Sequence, residues 1–423
     1  MSSPTTAVQH APLITNDAVV FGILVVTLGA IFLSANSERP GWRRFYRVVP
    51  SLLVCYFLPS VFNTLGIISG EHSSLYFVAS RYLLPASLAL LTLTIDLAGI
   101  IRLGPKAIIM FLTGTAGIVI GGPLSILLIS LVDPDLVGGQ GPEAVWRGMT
   151  TVAGSWIGGG ANQAAMKEAF GVGDRLFSIM VTVDVIVANV WMAVLLTMAG
   201  RADEIDARIG ADNSAITALT LKMQGFQEQV AKVATLTDLM AIAAVGFGVT
   251  AVGHLGADLL SPWLKSGYAP GAELPFYTSG FFWLVVIATT GGLLLSFTPA
   301  RKLEGAGASK IGSAFLYILV ATIGMKMDIT AIFTEWKLFV VGGVWISVHA
   351  ILLLVVAKLI RAPTFFLAVG SQANIGGAAS APIMAAAFHP ALAPVGVMLA
   401  VLGYALGTYM AGLPGYLMQA VAP

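Results

Sequence analysis

Trp156-Ile-Gly-Gly-Gly-Ala-Asn-Gln-Ala-Ala-Met-Lys-Glu-Ala-Phe170 returns late in the chain as Asn374-Ile-Gly-Gly-Ala-Ala-Ser-Ala-Pro-Ile-Met-Ala-Ala-Ala-Phe388. At an offset of 218 residues, Gly158 to Gly376, seven of the fifteen positions are identical. Each copy follows a Gly-Ser pair, Gly154-Ser155 and Gly370-Ser371. Paired glycines lower helix propensity and let the backbone open. Yet the flanking sequence is far too apolar for exposed loops. Opened backbone at membrane depth persists where protein covers it or where it lines a watery cavity. Interrupted apolar segments at matching places in two halves point to a transporter's binding site. Tight Gly/Ala helix packing is the plainer reading, but packing does not call for Asn162, Gln163, Ser371, Gln372, Asn374 and Ser380 beside the glycines.

The wider composition agrees. Of 423 residues, 57% are hydrophobic and 10% charged, with mean hydropathy +0.88, the signature of a helical membrane protein with many spans. A net charge of +1 and no basic domain give no sign of a nucleic-acid partner. One cysteine, Cys55, excludes a disulfide framework. His10, His72, His254, His349 and His389 are scattered without metal-ligand spacing. Residues 1–16 are polar and lack a signal peptide's basic start, so the first apolar run is expected to stay in the mature chain.

Apolar spans are expected at 17–34, 48–69, 82–101, 107–132 and 176–199, with the first glycine segment at 145–170. After a polar stretch the plan repeats: 236–256, 276–297, 311–328, 338–357, a glycine segment at 363–388, then 395–418. Ile95-Asp-Leu-Ala-Gly-Ile100 also aligns with Met327-Asp-Ile-Thr-Ala-Ile332, and Asp17 with Asp238, in the same order on both sides. The expected organisation is a repeat over 1–199, a cytoplasmic linker over 200–233 and a second repeat over 234–423.

Positive charge chooses the topology. If each glycine segment crosses the bilayer, the halves are parallel; if each enters and returns, they are inverted. Arg39, Arg43, Arg44 and Arg47 place the first connection in the cytoplasm. The inverted plan then gathers Arg102, Lys106, Arg201, Arg208, Lys222, Lys232, Arg301, Lys302, Lys310, Lys358 and Arg361 on the same side, 15 of the 22 basic residues. The parallel plan would put seven of them outside. The expected fold is therefore an all-α inverted repeat of five transmembrane helices plus one re-entrant hairpin per half. It would lie in the inner (plasma) membrane with both termini outside.

Within the linker, Ile216, Leu219, Met223, Phe226, Val230 and Val233 form an a/d stripe, with Lys222, Gln227, Glu228 and Lys232 on the other faces. Such a helix suits the membrane surface, a second subunit, or its own transporter's inner face.

Two halves, each with a Gly-Gly re-entrant segment before its last span, resemble the sodium-coupled glutamate and citrate carrier class. The chain is also identified as a member of the bacterial membrane-protein family called domain of unknown function 819. The resemblance covers nearly the whole chain and rests on Gly158-Gly159-Gly160-Ala161 and Gly376-Gly377-Ala378-Ala379. In the carrier class a Gly-Gly-x-Gly signature forms the hairpin tips; here Ala161 and Ala379 hold the fourth position. The resemblance implies an elevator-type homodimer whose tips hold solute and sodium.

On that reading Ser155, Gly158, Gly159, Asn162, Gln163, Ser371, Asn374, Gly376, Gly377 and Ser380 are candidate solute ligands. Opened carbonyls replace a cation's water, and half-helix N-termini present N–H groups to an anion. Neutral oxygens at Asn162, Ser380 and Asn374 suit Na+ better than a divalent metal. These side chains could equally satisfy the opened backbone. Asp184 is an ionisable residue at depth, a functional candidate for Na+ or H+ coupling. Asn189 would share its polar face, and the alternative is structural pairing of Asp184 with hairpin N–H groups, Lys167 or Arg175. Asp96 and Asp328 read as span-boundary residues, His349 as a packed, hydrogen-bonded histidine, and Lys326 as a snorkelling end residue.

The expected function is an ion-gradient-coupled carrier of a small polar or anionic organic solute, with Na+ or H+ as coupling ion and no cofactor. The alternative is a monovalent cation/proton antiporter that uses Asp184. An enzyme is not expected: no His-Glu-x-x-His or Gly-x-Ser-x-Gly motif stands in a span.

Overall fold

The computed structural model describes residues 12–49, 51–95, 97–212, 216–217, 220, 233–269, 276–326, 335–389 and 392–423. Asp96, Asp328 and linker positions 219 and 221–232 lie outside the described residues. Every regular element among the described residues is helical. The principal helices are α1 (Asp17–Ala35), α2 (Pro40–Val48), α3 (Ser51–Thr64), α4 (Leu75–Leu93), α5 (Pro105–Ser130), α6 (Val145–Ala169), α7 (Asp174–Ala199) and α8 (Ala202–Ile209). The second half supplies α9 (Leu236–Lys265), α10 (Gly280–Leu295), α11 (Ala308–Gly324), α12 (Leu338–Ile360), α13 (Thr364–Ile375), α14 (Gly377–Phe388), α15 (Ala393–Met410) and α16 (Gly412–Val421).

Seven of these are long and apolar enough to cross a membrane: α1, α4, α5, α7, α9, α12 and α15. The spans expected at 48–69, 276–297 and 311–328 are represented by shorter helices, α3, α10 and α11, of 14, 16 and 17 residues. After α10 the chain bends by 96° into the helical turn Pro299–Ala306.

Packing sorts the helices into two bundles. In one, α4 packs on α9, α10 and α11, while α3 packs on α1 and α11. In the other, α5 packs on α12 and α13, α7 on α6 and α12, and α15 on α6, α13 and α14. The bundles meet where α10, α4 and α11 face α6 and α15.

Side chains fix which end of each helix lies where. Lys337 Nζ is 3.0 Å from Asp133 Oδ2, whereas Lys106 Nζ donates to the Arg361 carbonyl across 2.9 Å. So α5 and α12 run antiparallel between two ends of the molecule. α7 starts at the Asp133 end, where Arg175 bonds Glu335 at 2.8 Å. It leads to α8 at the Arg361 end, where buried Asp206 accepts from Thr364 N at 2.8 Å and Thr364 Oγ1 at 2.6 Å.

α4 carries one wide turn, a π-helical stretch at Ala79–Leu83. Pro85 is its cause: without an N–H it cannot donate to the Arg81 carbonyl four residues back. His254 Nε2 takes up that carbonyl at 2.9 Å, and since a carbonyl only accepts, Nε2 carries the proton.

Candidate functional site

α6 is not one straight helix. Gly158 and Gly159 leave helical geometry, at φ −143°, ψ 17° and φ 74°, ψ −178°. A side chain pays heavily for that positive φ, and glycine does not. The chain then turns back: a Cβ on Gly154 would lie 2.7 Å from the Asn162 carbonyl oxygen and 2.8 Å from Met166 Cγ. Both ends of the segment therefore sit together. Arg147 Nη1 donates to the Phe170 carbonyl at 2.7 Å, and the Trp146 and Phe170 rings are 6.2 Å apart.

The second segment behaves alike. α13 stops at Gly376, Gly377 opens α14 at φ 55°, and Phe365 at one end meets Phe388 at the other, 5.3 Å between centroids. The first segment opens toward the Asp174 end, through Gly173 N to Pro142 O at 2.9 Å. The second opens toward the Arg361 end, where Asp206 caps Thr364.

Their turns converge on α15. A Cβ on Gly377 would lie 3.5 Å from the Tyr404 hydroxyl and 3.8 Å from Gly159 Cα; one on Gly159 would meet Tyr404 Cε1 at 2.9 Å. α15 admits both turns because Gly403 and Gly407 carry no side chain. A Cβ on Gly403 would be 2.8 Å from the Ala373 carbonyl, and one on Gly407 2.6 Å from Gly158 Cα.

Most polar side chains at the turns are already engaged. Asn162 donates to the carbonyls of Gly158 (2.9 Å) and Tyr404 (3.0 Å), and its oxygen accepts from Thr408 at 2.9 Å. Asn374 donates to Phe111 O and Gly370 O, both at 2.9 Å, and accepts from Thr115 at 2.7 Å. Ser371 accepts from Trp191 Nε1 at 2.8 Å and lies 2.9 Å from His349 Nε2. His349 Nδ1 faces the Gly114 carbonyl at 2.9 Å, and since a carbonyl only accepts, Nδ1 carries a proton and donates to it. Such residues bolt the broken segments to α5, α7, α12 and α15.

Ser380 and Gln372 differ. Ser380 Oγ donates to Gln372 Oε1 at 2.8 Å, but the buried Gln372 Nε2 has no partner among the described residues. Among the described residues the first turn of α14 has no side-chain cap either, so its N–H groups and this amide are donors left over beside the second break.

Asp184 is 4% exposed. Trp156 Nε1 donates to its Oδ1 at 2.6 Å, Gln163 Nε2 to its Oδ2 at 2.9 Å, and the Ser155 hydroxyl is a third polar neighbour. All three donors are neutral and all come from the first broken segment. Lys167 and Arg175 are not its partners; they pair with Asp174 at 2.5 Å and Glu335. Asn189 does not share its face either. Five residues further on, it is rotated by roughly 140° on a 3.6-residue helix, is exposed, and donates to Val185 O at 2.7 Å.

Sequence reasoning missed Tyr404, Thr408, Thr115 and Trp191. Their signal is faint, though Gly403 and Gly407 one turn apart, with Tyr404 and Thr408 beside them, mark a close helix crossing.

A family model described as "Protein of unknown function (DUF819)" matches residues 22–421. The chain belongs to that family. It is also 25% identical over 369 residues to the uncharacterized membrane protein YjcL of Bacillus subtilis (strain 168), covering 84% of this chain and 86% of that protein. Neither description names a solute or an ion, and neither supports the likeness to the glutamate and citrate carriers.

Proposed function

We propose that this DUF819 protein is an ion-gradient-coupled secondary transporter of a small polar or anionic organic solute. The meeting of two helix breaks against Tyr404, one opened from each end of the molecule, carries this reading. Breaks placed in this way suit a site reached alternately from two sides. The bundle holding both breaks would move against the α1, α3, α4, α9, α10 and α11 bundle, as an elevator. Asp184, buried among neutral donors only, is the coupling residue, with Na+ as the ion and H+ as its competitor. Gln372, Ser380 and the first turn of α14 are the solute contacts that remain after Asn162 and Asn374 are assigned to packing.

The finer architecture follows from the same reading: five spans and one re-entrant hairpin per half, related by inversion, in a plasma-membrane homodimer with both termini outside. Basic residues at the Arg361 end support that orientation. Uptake of labelled metabolites by proteoliposomes, with and without a Na+ gradient, tests the function. Absence of solute uptake together with pH-dependent Na+ or K+ exchange would replace it by the antiporter reading, which the isolated carboxylate of Asp184 also supports.

A further inference from the structure

Three cations and two carboxylates cross the seam between the bundles at the Asp174 end. From the first bundle come Tyr76 and Arg81 on α4 and Lys326 just beyond α11. From the other come Lys167 and Glu168 at the end of α6, and Asp174 at the start of α7. Glu168 accepts from the Tyr76 hydroxyl at 2.5 Å and from Arg81 Nη2 at 2.7 Å. Lys167 Nζ lies 2.5 Å from Asp174 Oδ1, and Lys326 Nζ lies 3.6 Å from Asp174 Oδ2. Both ammonium groups also sit 4.7 Å from the centre of the Tyr76 ring. The Arg81 guanidinium rests 4.2 Å from the Phe281 ring centre.

We propose that this cluster is a latch that holds the two bundles together at the Asp174 end. It rests on the reading that the bundles move against each other. Four of these contacts join one bundle to the other, Tyr76–Glu168, Arg81–Glu168, Lys326–Asp174 and Lys167 against the Tyr76 ring, so the bundles cannot shift at this end while they persist. Its parts are graded for that task. Lys167 is nearly buried, while Arg81, Glu168 and Lys326 are 25%, 19% and 25% exposed, so water can solvate them once they separate. A fully buried set would leave uncompensated charge on opening, and a fully exposed set would hold nothing. Three other side-chain bonds across the seam are neutral: Thr289 to Thr408 at 3.1 Å, Thr290 to Tyr409 at 2.8 Å, and Tyr56 to Gln163 at 3.4 Å. The charged contacts, stronger than these neutral ones, hold the Asp174 end of the seam closed. The π turn that presents Arg81, held by His254, places the guanidinium against α6.

Hydrogen–deuterium exchange of the full-length protein in detergent tests the latch. Arg81→Glu should raise exchange in segments 51–64 and 145–170 on the order of tenfold, the scale of one charge-assisted bond lost from a partly exposed site. Arg81→Glu with Glu168→Arg should restore protection. Arg208→Gln, which breaks the exposed Arg208–Glu204 pair, should change neither segment. Should Arg81→Glu fail to fold, raising salt on wild type from about 0.05 to 0.5 M serves instead, because screening weakens exposed pairs; exchange at the seam should rise. Unchanged exchange on Arg81→Glu, no restoration by the exchanged pair, or salt-insensitive exchange where the variant does not fold would overturn the latch. Proteoliposome uptake keeps the two ideas apart: transport with an indifferent seam removes the latch alone, and a responsive seam without transport removes only the transporter reading.

Discussion

Trp156 and Asp184 are joined by a 2.6 Å indole–carboxylate bond that ties the first broken segment to α7. The indole also lies 5.0 Å from the ring of Trp345 on α12, so one side chain fixes the carboxylate and packs three helices together. Trp156→Phe keeps the ring contact and deletes the donor. A buried carboxylate oxygen left short of a partner costs about 1–3 kcal/mol. The variant should therefore melt several degrees lower in detergent and leave the oligomeric state unchanged; an unaltered melting temperature would show that the bond contributes nothing.

Gly159 and Tyr404 form the second testable pair. Gly159→Ala meets two penalties, a positive φ costing about 1–2 kcal/mol and a Cβ 2.9 Å from Tyr404 Cε1. Adding Tyr404→Ala should remove the clash and leave the backbone strain. In a thermal double-mutant cycle the two substitutions should couple by roughly 0.5–3 kcal/mol, the range for residues in contact. Strict additivity would mean that the turn and α15 do not touch in the working protein.

The helices and both breaks were legible because apolar runs and Gly-Gly pairs write themselves into sequence over many residues. Partner choice was not. Asp184 stood out as a carboxylate at depth, yet nothing local says that Trp156 and Gln163, 28 and 21 residues earlier, supply its donors. Asn162 and Asn374 read equally well as ion ligands or as backbone satisfiers, and only the structure shows both amide N–H groups of each bonded to backbone carbonyls and one bond to each oxygen. Asn189, five residues after Asp184, falls on another, exposed face of α7. The charged seam is not legible in sequence because its members, taken singly, look like ordinary span-end residues.

Orientation in the membrane is tested by thiols at the two ends. Glu143 at the Asp174 end and Lys358 at the Arg361 end are both exposed. In a Cys55→Ala background, Glu143→Cys should react with an impermeant thiol reagent in intact cells. Lys358→Cys should react only after permeabilisation. The opposite pattern would invert the orientation, and labelling of both in intact cells would require another topology.

Coupling separates the two functional readings. Ser380→Ala removes the hydroxyl that engages Gln372 without touching the bolts at Asn162 and Asn374. It should raise the solute or Na+ concentration needed for half-maximal uptake by about five- to hundredfold, the equivalent of a buried polar partner lost at about 1–3 kcal/mol. The amount of folded protein should stay as in wild type. Asp184→Asn removes the negative charge but keeps an amide of similar shape for Trp156 and Gln163 to face. Under the transporter reading it leaves solute binding measurable and uncouples uptake from the ion gradient. Under the antiporter reading it abolishes pH-dependent cation exchange, and no organic solute is carried by either protein. Wild-type uptake that is identical with and without a Na+ gradient, yet collapses when the proton gradient is dissipated, would exclude Na+ and assign the coupling at Asp184 to H+.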